Sequence, residues 1–165
     1  MKQLLLIAAL GASAMAFSQQ SLINTTDLSI RLGGVYPLER TTRNVTKNMI
    51  AIGLDFEAPS NFVKGGKNYF SFDWYGKSGS GAKGNMFPIM FNVRLGDEPG
   101  KQFYSFLGAG LVFMDVTSAK TVFGVRGGIG TRLNANIFAE AAAVLSGDAN
   151  GAKANSVGVF VGYKF

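Results

Sequence analysis

Apolar and polar residues alternate with a period of two through most of the chain. Polar, glycine-rich segments interrupt the alternation at intervals. Period two marks a strand whose two faces meet different surroundings. Ser156 to Phe165 shows it most clearly. Val157, Val159, Val161, Tyr163 and Phe165 fall on one face, and Ser156, Gly158, Phe160, Gly162 and Lys164 on the other. A water-soluble domain rarely puts its most apolar strand at a frayed terminus.

Seven earlier segments carry the same pattern: Asp27–Tyr36, Asn48–Glu57, Asn68–Gly76, Met86–Leu95, Phe103–Val116, Thr121–Leu133 and Ile137–Leu145. In the fourth, Phe87, Ile89, Phe91, Val93 and Leu95 oppose Asn92 and Arg94, and Pro88 removes a ladder donor. The fifth is apolar on both faces. Leu107, Leu111 and Phe113 are read as inward, filling the outer end of the interior, against Phe106, Val112 and Met114. The intervening segments are read as turns and polar loops, with Pro37–Lys47, Lys77–Asn85 and Ser146–Asn155 the long ones. Eight strands of about ten residues suit an all-β, antiparallel up-and-down barrel that crosses a bilayer, where only a closed sheet satisfies its own backbone.

The N-terminus is read separately. Lys2, an apolar run from Leu4 to Leu10 and the small-x-small Ala14-Met15-Ala16 form a secretory signal peptide, cleaved after Ala16 or Ser18. The domain division is therefore 1–18 for the leader and 19–165 for the barrel. Charged residues make up 16% of the chain against about 25% in soluble domains, and 22 Gly and 14 Phe accompany them. That composition suits strands that face lipid. The net charge of +6 falls to +5 without Lys2. In an exported chain this points to phosphate-bearing headgroups rather than nucleic acid. The absence of Cys and His removes disulfides, thiol chemistry, Ser-His-Asp triads and the usual zinc ligand sets. No cofactor or metal is expected.

The face opposite the apolar one carries Arg31, Asp55, Glu57, Asp73, Arg94, Asp115, Arg126, Arg132, Glu140 and Lys164. Five cations and five anions in a lumen narrow enough to be filled by side chains must pair. The expected first pair is Glu140 with Arg132: a hairpin pivoting on Ala135 sets Glu140 opposite Gly130, with Arg132 diagonal. The set is read as a structural plug, with a narrow gated path as the alternative. Asp55 and Glu57, two apart on one face, are a weak cation candidate. Tyr36, Phe56, Phe70, Trp74 and Phe87, with Tyr163 and Phe165, lie mostly near strand ends and read as interfacial girdles. Gly127-Gly128-Ile129-Gly130 precedes no helix and is no phosphate loop.

The leader, the eight strands and the terminal Gly162-Tyr163-Lys164-Phe165 together resemble the small eight-stranded outer-membrane barrels of Gram-negative bacteria, of the OmpA transmembrane domain, OmpX/Ail and OmpW types. The resemblance covers the mature chain. It implies an outer-membrane location and a C-terminal signal read by the barrel-insertion machinery, carried here by Val161, Tyr163 and Phe165. It also implies contact with outer-membrane lipid and lipopolysaccharide, and a possible surface ligand at loops 37–47, 77–85 and 146–155. Those loops carry Arg40, Arg43, Lys47, Lys77, Lys83 and Lys153. The barrel-shaped lipid A palmitoyltransferase relies on a histidine that this chain lacks. No wall-binding domain follows Phe165, so a tether is not expected. The reading is a non-enzymatic envelope or surface-interaction barrel. A narrow pore for small or hydrophobic solutes is the first alternative and a soluble periplasmic ligand-binding barrel the second.

Overall fold

Alternation places each segment between an apolar and a polar surrounding, and closing the sheet leaves no backbone edge unpaired. The computed structural model describes residues 28–58, 66–77, 84–98, 100–116, 118–148 and 151–165. The segment 1–18 expected to be a leader and most of the loop 77–85 lie outside the described residues. The elements are β1 (Leu28–Pro37), α1 (Arg40–Val45), β2 (Met49–Glu57), β3 (Gly66–Gly76), β4 (Asn85–Leu95), β5 (Phe103–Asp115), β6 (Ala119–Arg132), β7 (Ile137–Ser146) and β8 (Ser156–Lys164). Each strand pairs antiparallel with the next, and β8 closes on β1 from Ser29–Lys164 to Pro37–Ser156. The fold class read from the alternation is the one observed: all-β, eight strands, up and down, closed. Past β8, Phe165 N–H still donates to Leu28 O at 3.0 Å.

The expected loop 37–47 is not irregular throughout. Arg40–Val45 forms the short helix α1, which the loop-like composition concealed. Residues 38–42 and 151–155 dock on each other at one end of the barrel, the loop end. Leu38 N–H donates to Asn155 O at 2.8 Å, Thr41 Oγ1 to Gly151 O at 3.2 Å, and Thr42 Oγ1 to Lys153 O at 3.3 Å. The opposite end, with the N-terminal side of β1 and the C-terminus, is the terminal end. Pro88 leaves its mark on the β3–β4 ladder, which lapses between the pairs Phe72–Ile89 and Tyr75–Met86, where proline has no N–H to donate.

The wall is apolar outside. Leu32, Ile129 and Val159 are 57%, 67% and 66% exposed. Inside, the loop-end half is filled by Met86, Met90, Val112, Met114, Val122 and Phe160. This corrects the reading of β5. Leu107, Leu111 and Phe113 point outward, and Phe106, Val112 and Met114 point in. Pairing decides it: Phe106 lies opposite Arg94, and Gly108 opposite Arg126, both of them buried inside.

Interior aromatics sit on glycines of the neighbouring strand. Tyr104 lies against Gly130, Phe106 against Gly128, and Phe138 against Gly162. A Cβ at any of the three would strike the ring. Replacing Gly130 with Val should therefore lower stability by about 1–3 kcal/mol through overpacking. Gly34→Ala, whose Cβ would meet open space outside the wall, should change it little. Urea midpoints of the barrel folded in detergent measure both.

Candidate functional site

The strand register brings five inward charges to mid-lumen. Arg31 of β1 lies opposite Gly53 of β2, which lies opposite Asp73 of β3. Arg31 reaches across the glycine: a Cβ at Gly53 would collide with Asp73 Oδ1. Its Nη2 stands 2.8 Å from Asp73 Oδ1 and 2.9 Å from Asp55 Oδ1, and its Nη1 is 3.0 Å from Glu140 Oε2. Arg126 Nη1 donates to Asp73 Oδ2 at 3.1 Å and to Ser71 Oγ at 3.3 Å, and its Nη2 is 3.5 Å from Glu140 Oε2. Tyr104 Oη donates to Glu140 Oε1 at 3.0 Å. The flat faces of the guanidinium groups are used as well. Arg31 lies 5.4 Å from the Phe160 ring and Arg126 5.0 Å from Phe106.

A second cluster lies nearer the terminal end. Arg94 is stacked between Tyr69 at 4.7 Å and Tyr104 at 5.0 Å. It reaches Asp97 at 3.5 Å, Glu57 at 3.7 Å and Glu140 at 3.8 Å. Lys164 Nζ donates to Glu57 Oε1 at 2.5 Å, Lys67 lies 3.7 Å from Asp97, and Arg132 pairs with Asp97. A polar cavity of about 220 Å³ opens here among Arg94, Asp97, Tyr104, Arg132 and Lys164. Among the described residues the lumen is thus charged in the middle, open and polar at the terminal end, and filled by apolar side chains beneath docked loops at the loop end.

Of the ten charges read as inward, nine take part in these two clusters. Asp115 does not. It follows Leu111 and Phe113 on the outward face of β5, beside Asn85 of β4. Its misplacement comes from the same inversion of β5. The Glu140–Arg132 pair also fails. Glu140 does lie opposite Gly130 as the hairpin argument required, but its carboxylate turns across the lumen to Arg31, Arg94 and Arg126, while Arg132 is drawn to Asp97 at the rim. A diagonal neighbour loses to three guanidiniums converging from β1, β4 and β6. Asp97 and Lys67 carry no signal in the alternation, because both sit in segments whose composition reads as turn. The spacing of Arg94 and Asp97 is the one signal that hinted at the former.

The aromatics read as girdles all point outward and form two bands. Tyr36, Trp74 and Phe87 lie toward the loop end, with Trp74 Nε1 donating to Asn85 Oδ1 at 3.2 Å. Phe56, Phe70, Tyr163 and Phe165 lie toward the terminal end. There Phe56 meets Phe72 edge-on at 5.7 Å and Tyr163 meets Phe165 at 5.2 Å. Val161, Tyr163 and Phe165 are outward and roughly half exposed.

Solved structures with the same arrangement exist. A de novo designed transmembrane β-barrel aligns with a TM-score of 0.55 at 13% identity, over 84% of this chain and 94% of that one. The fold is that of a transmembrane β-barrel. The N-terminal β-barrel domain of Pseudomonas aeruginosa OprF aligns with a TM-score of 0.53 at 14% identity, over 84% and 96% of the two chains. The Yersinia pestis outer membrane protein Ail, determined in a phospholipid bilayer nanodisc, gives 0.53 at 16% identity over 84% and 98%. No protein-family model and no curated protein matches the sequence.

In a transmembrane barrel with this interior, the two clusters should respond differently to truncation. Glu140→Ala removes the one carboxylate shared by Arg31, Arg94 and Arg126 and should cost about 3–5 kcal/mol. Arg132→Gln, at the partly exposed rim, should cost about 0–1 kcal/mol. The urea dependence of Trp74 fluorescence, with the barrel folded in detergent, separates the two.

Proposed function

We propose that the protein is a non-enzymatic outer-membrane β-barrel that serves envelope integrity or surface interaction through its basic loops. The observation that carries this is the inverted polarity of the molecule: an apolar outer wall around a charge-paired, filled lumen. A wall of exposed leucine, isoleucine, valine and phenylalanine is matched to hydrocarbon and would aggregate in water. Inside, Arg31 and Arg126 at mid-lumen face Asp55, Asp73 and Glu140, Arg94 reaches Glu140 from the second cluster, and the space is occupied by side chains. The apolar plug and the loop-to-loop hydrogen bonds oppose passage of solute. In this reading the loop end faces outward, and Arg40, Arg43, Lys47 and Lys153 present positive charge to phosphate-bearing or acidic surfaces. Val161, Tyr163 and Phe165 serve as the terminal signal for the insertion machinery.

Cell fractionation followed by gel electrophoresis with and without boiling tests location and closure together. The expected result is recovery with the outer membrane and a change in apparent mass on heating. Recovery in the soluble periplasm with no change would replace this reading with the soluble ligand-binding barrel. In planar bilayers the purified barrel should show no discrete conductance. Stepwise currents that change with Asp73→Asn or Arg126→Gln would make it a pore.

A further inference from the structure

The outer wall is not uniform. Across β6, β7, β8 and β1 the outward side chains shrink to Gly127, Ala143 and Val157 in one cross-strand row, and to Ala141, Val159 and Gly34 in the next. Leu107 flanks the first row on one side and Tyr36 on the other. A shallow apolar groove of about 670 Å³ results, reaching Tyr36 at the loop end. It runs into a second of about 580 Å³ that shares Gly34, Ile129, Ala141 and Val159 and continues toward Phe103 and Val161. A cation stands at the head of this trough. The Arg43 guanidinium lies 5.9 Å from the centre of the Tyr36 ring, and its Nη1 is anchored to Leu38 O at 2.8 Å. Among the described residues Arg43 joins no ion pair, so its remaining N–H groups are available to an anion.

We propose that this trough seats an acyl chain of an anionic phospholipid of the surrounding bilayer, with the phosphate of its net-negative headgroup held by Arg43. The inference rests on the membrane reading above. The joined grooves run along the strands from the Tyr36 row to the Phe103 and Val161 row, the direction of a lipid chain in a bilayer, and the positive charge at the headgroup end fits an anion rather than a neutral lipid. A second copy of the chain is disfavoured as the occupant. Two barrels related by a two-fold axis along the membrane normal would bring their Arg43 side chains to the same rim of one interface.

The folded barrel in detergent, mixed with dioleoyl phosphatidylglycerol or dioleoyl phosphatidylcholine, is examined by native mass spectrometry. Phosphatidylglycerol should be retained over phosphatidylcholine by roughly fivefold, the effect of one cation near the surface. Arg43→Gln should abolish the preference. Ala141→Phe, or the milder Ala143→Leu, should reduce retention of both lipids by filling the groove. Equal retention of the two lipids by the unaltered barrel, or no response to Arg43→Gln and to the groove-filling variants, would overturn the proposal. A two-chain mass lost on Ala141→Phe would replace the lipid with a second copy. The heat shift of each variant is read alongside. Its loss in the unaltered protein would overturn the membrane reading and this inference with it, whereas its persistence without lipid preference would overturn this inference alone.

Discussion

A guanidinium removed from water must meet carboxylates within hydrogen-bond reach, and the barrel interior is arranged around meeting that demand for Arg31. Its partners come from β2, β3 and β7, so the cluster spans the lumen and can assemble only once the sheet has closed. Gly53, opposite Arg31 on β2, keeps that row free of a side chain that would block the reach, while Gly162, opposite on β8, gives its space to the Phe138 ring. Taking ions out of water costs several kcal/mol each, so such a cluster is poor evidence of added stability. Its clearer effect is on register. A slip of one residue in any of these strands would turn a charge outward and an apolar side chain in.

The remaining interior follows from what the charged cluster leaves. Toward the loop end the space is filled by methionine, valine and Phe160, and docked loops close over it. Toward the terminal end Arg94 is sandwiched by two tyrosines, and exposure rises from buried Asp97 through Glu57 to Lys164 and Arg132. The polarity gradient therefore runs along the barrel axis, while the inside–outside contrast runs across the wall. The two are independent, which is why an inward-facing position is charged in one half of the barrel and apolar in the other.

That independence explains which parts were legible in the sequence. Where one face was polar, alternation alone placed the strand correctly, and even the Gly130–Glu140 register followed from the short turn. In β5 both faces are apolar, because its loop-end half faces the plug on one side and the exterior on the other. Alternation then carries no information, and Asp115 was assigned with Leu111 and Phe113 to the wrong side. Helix α1 escaped because its threonines are held by hydrogen bonds to a loop more than a hundred residues away, not by local propensity. Asp97 and Lys67 escaped because a charged residue in a turn looks solvated until the opposite rim is known.

The sequence by itself determined the number of strands, their approximate ends, the apolar wall and the presence of a balanced inward charge set, since all of these follow from a period of two read over ten residues at a time. Only the tertiary structure decided which charge meets which, which way β5 faces, and where the lumen is sealed. Those outcomes depend on closure, which sets Arg31 against Glu140 across 109 residues of sequence. Partners that converge across a lumen leave no trace in the local alternation of either strand.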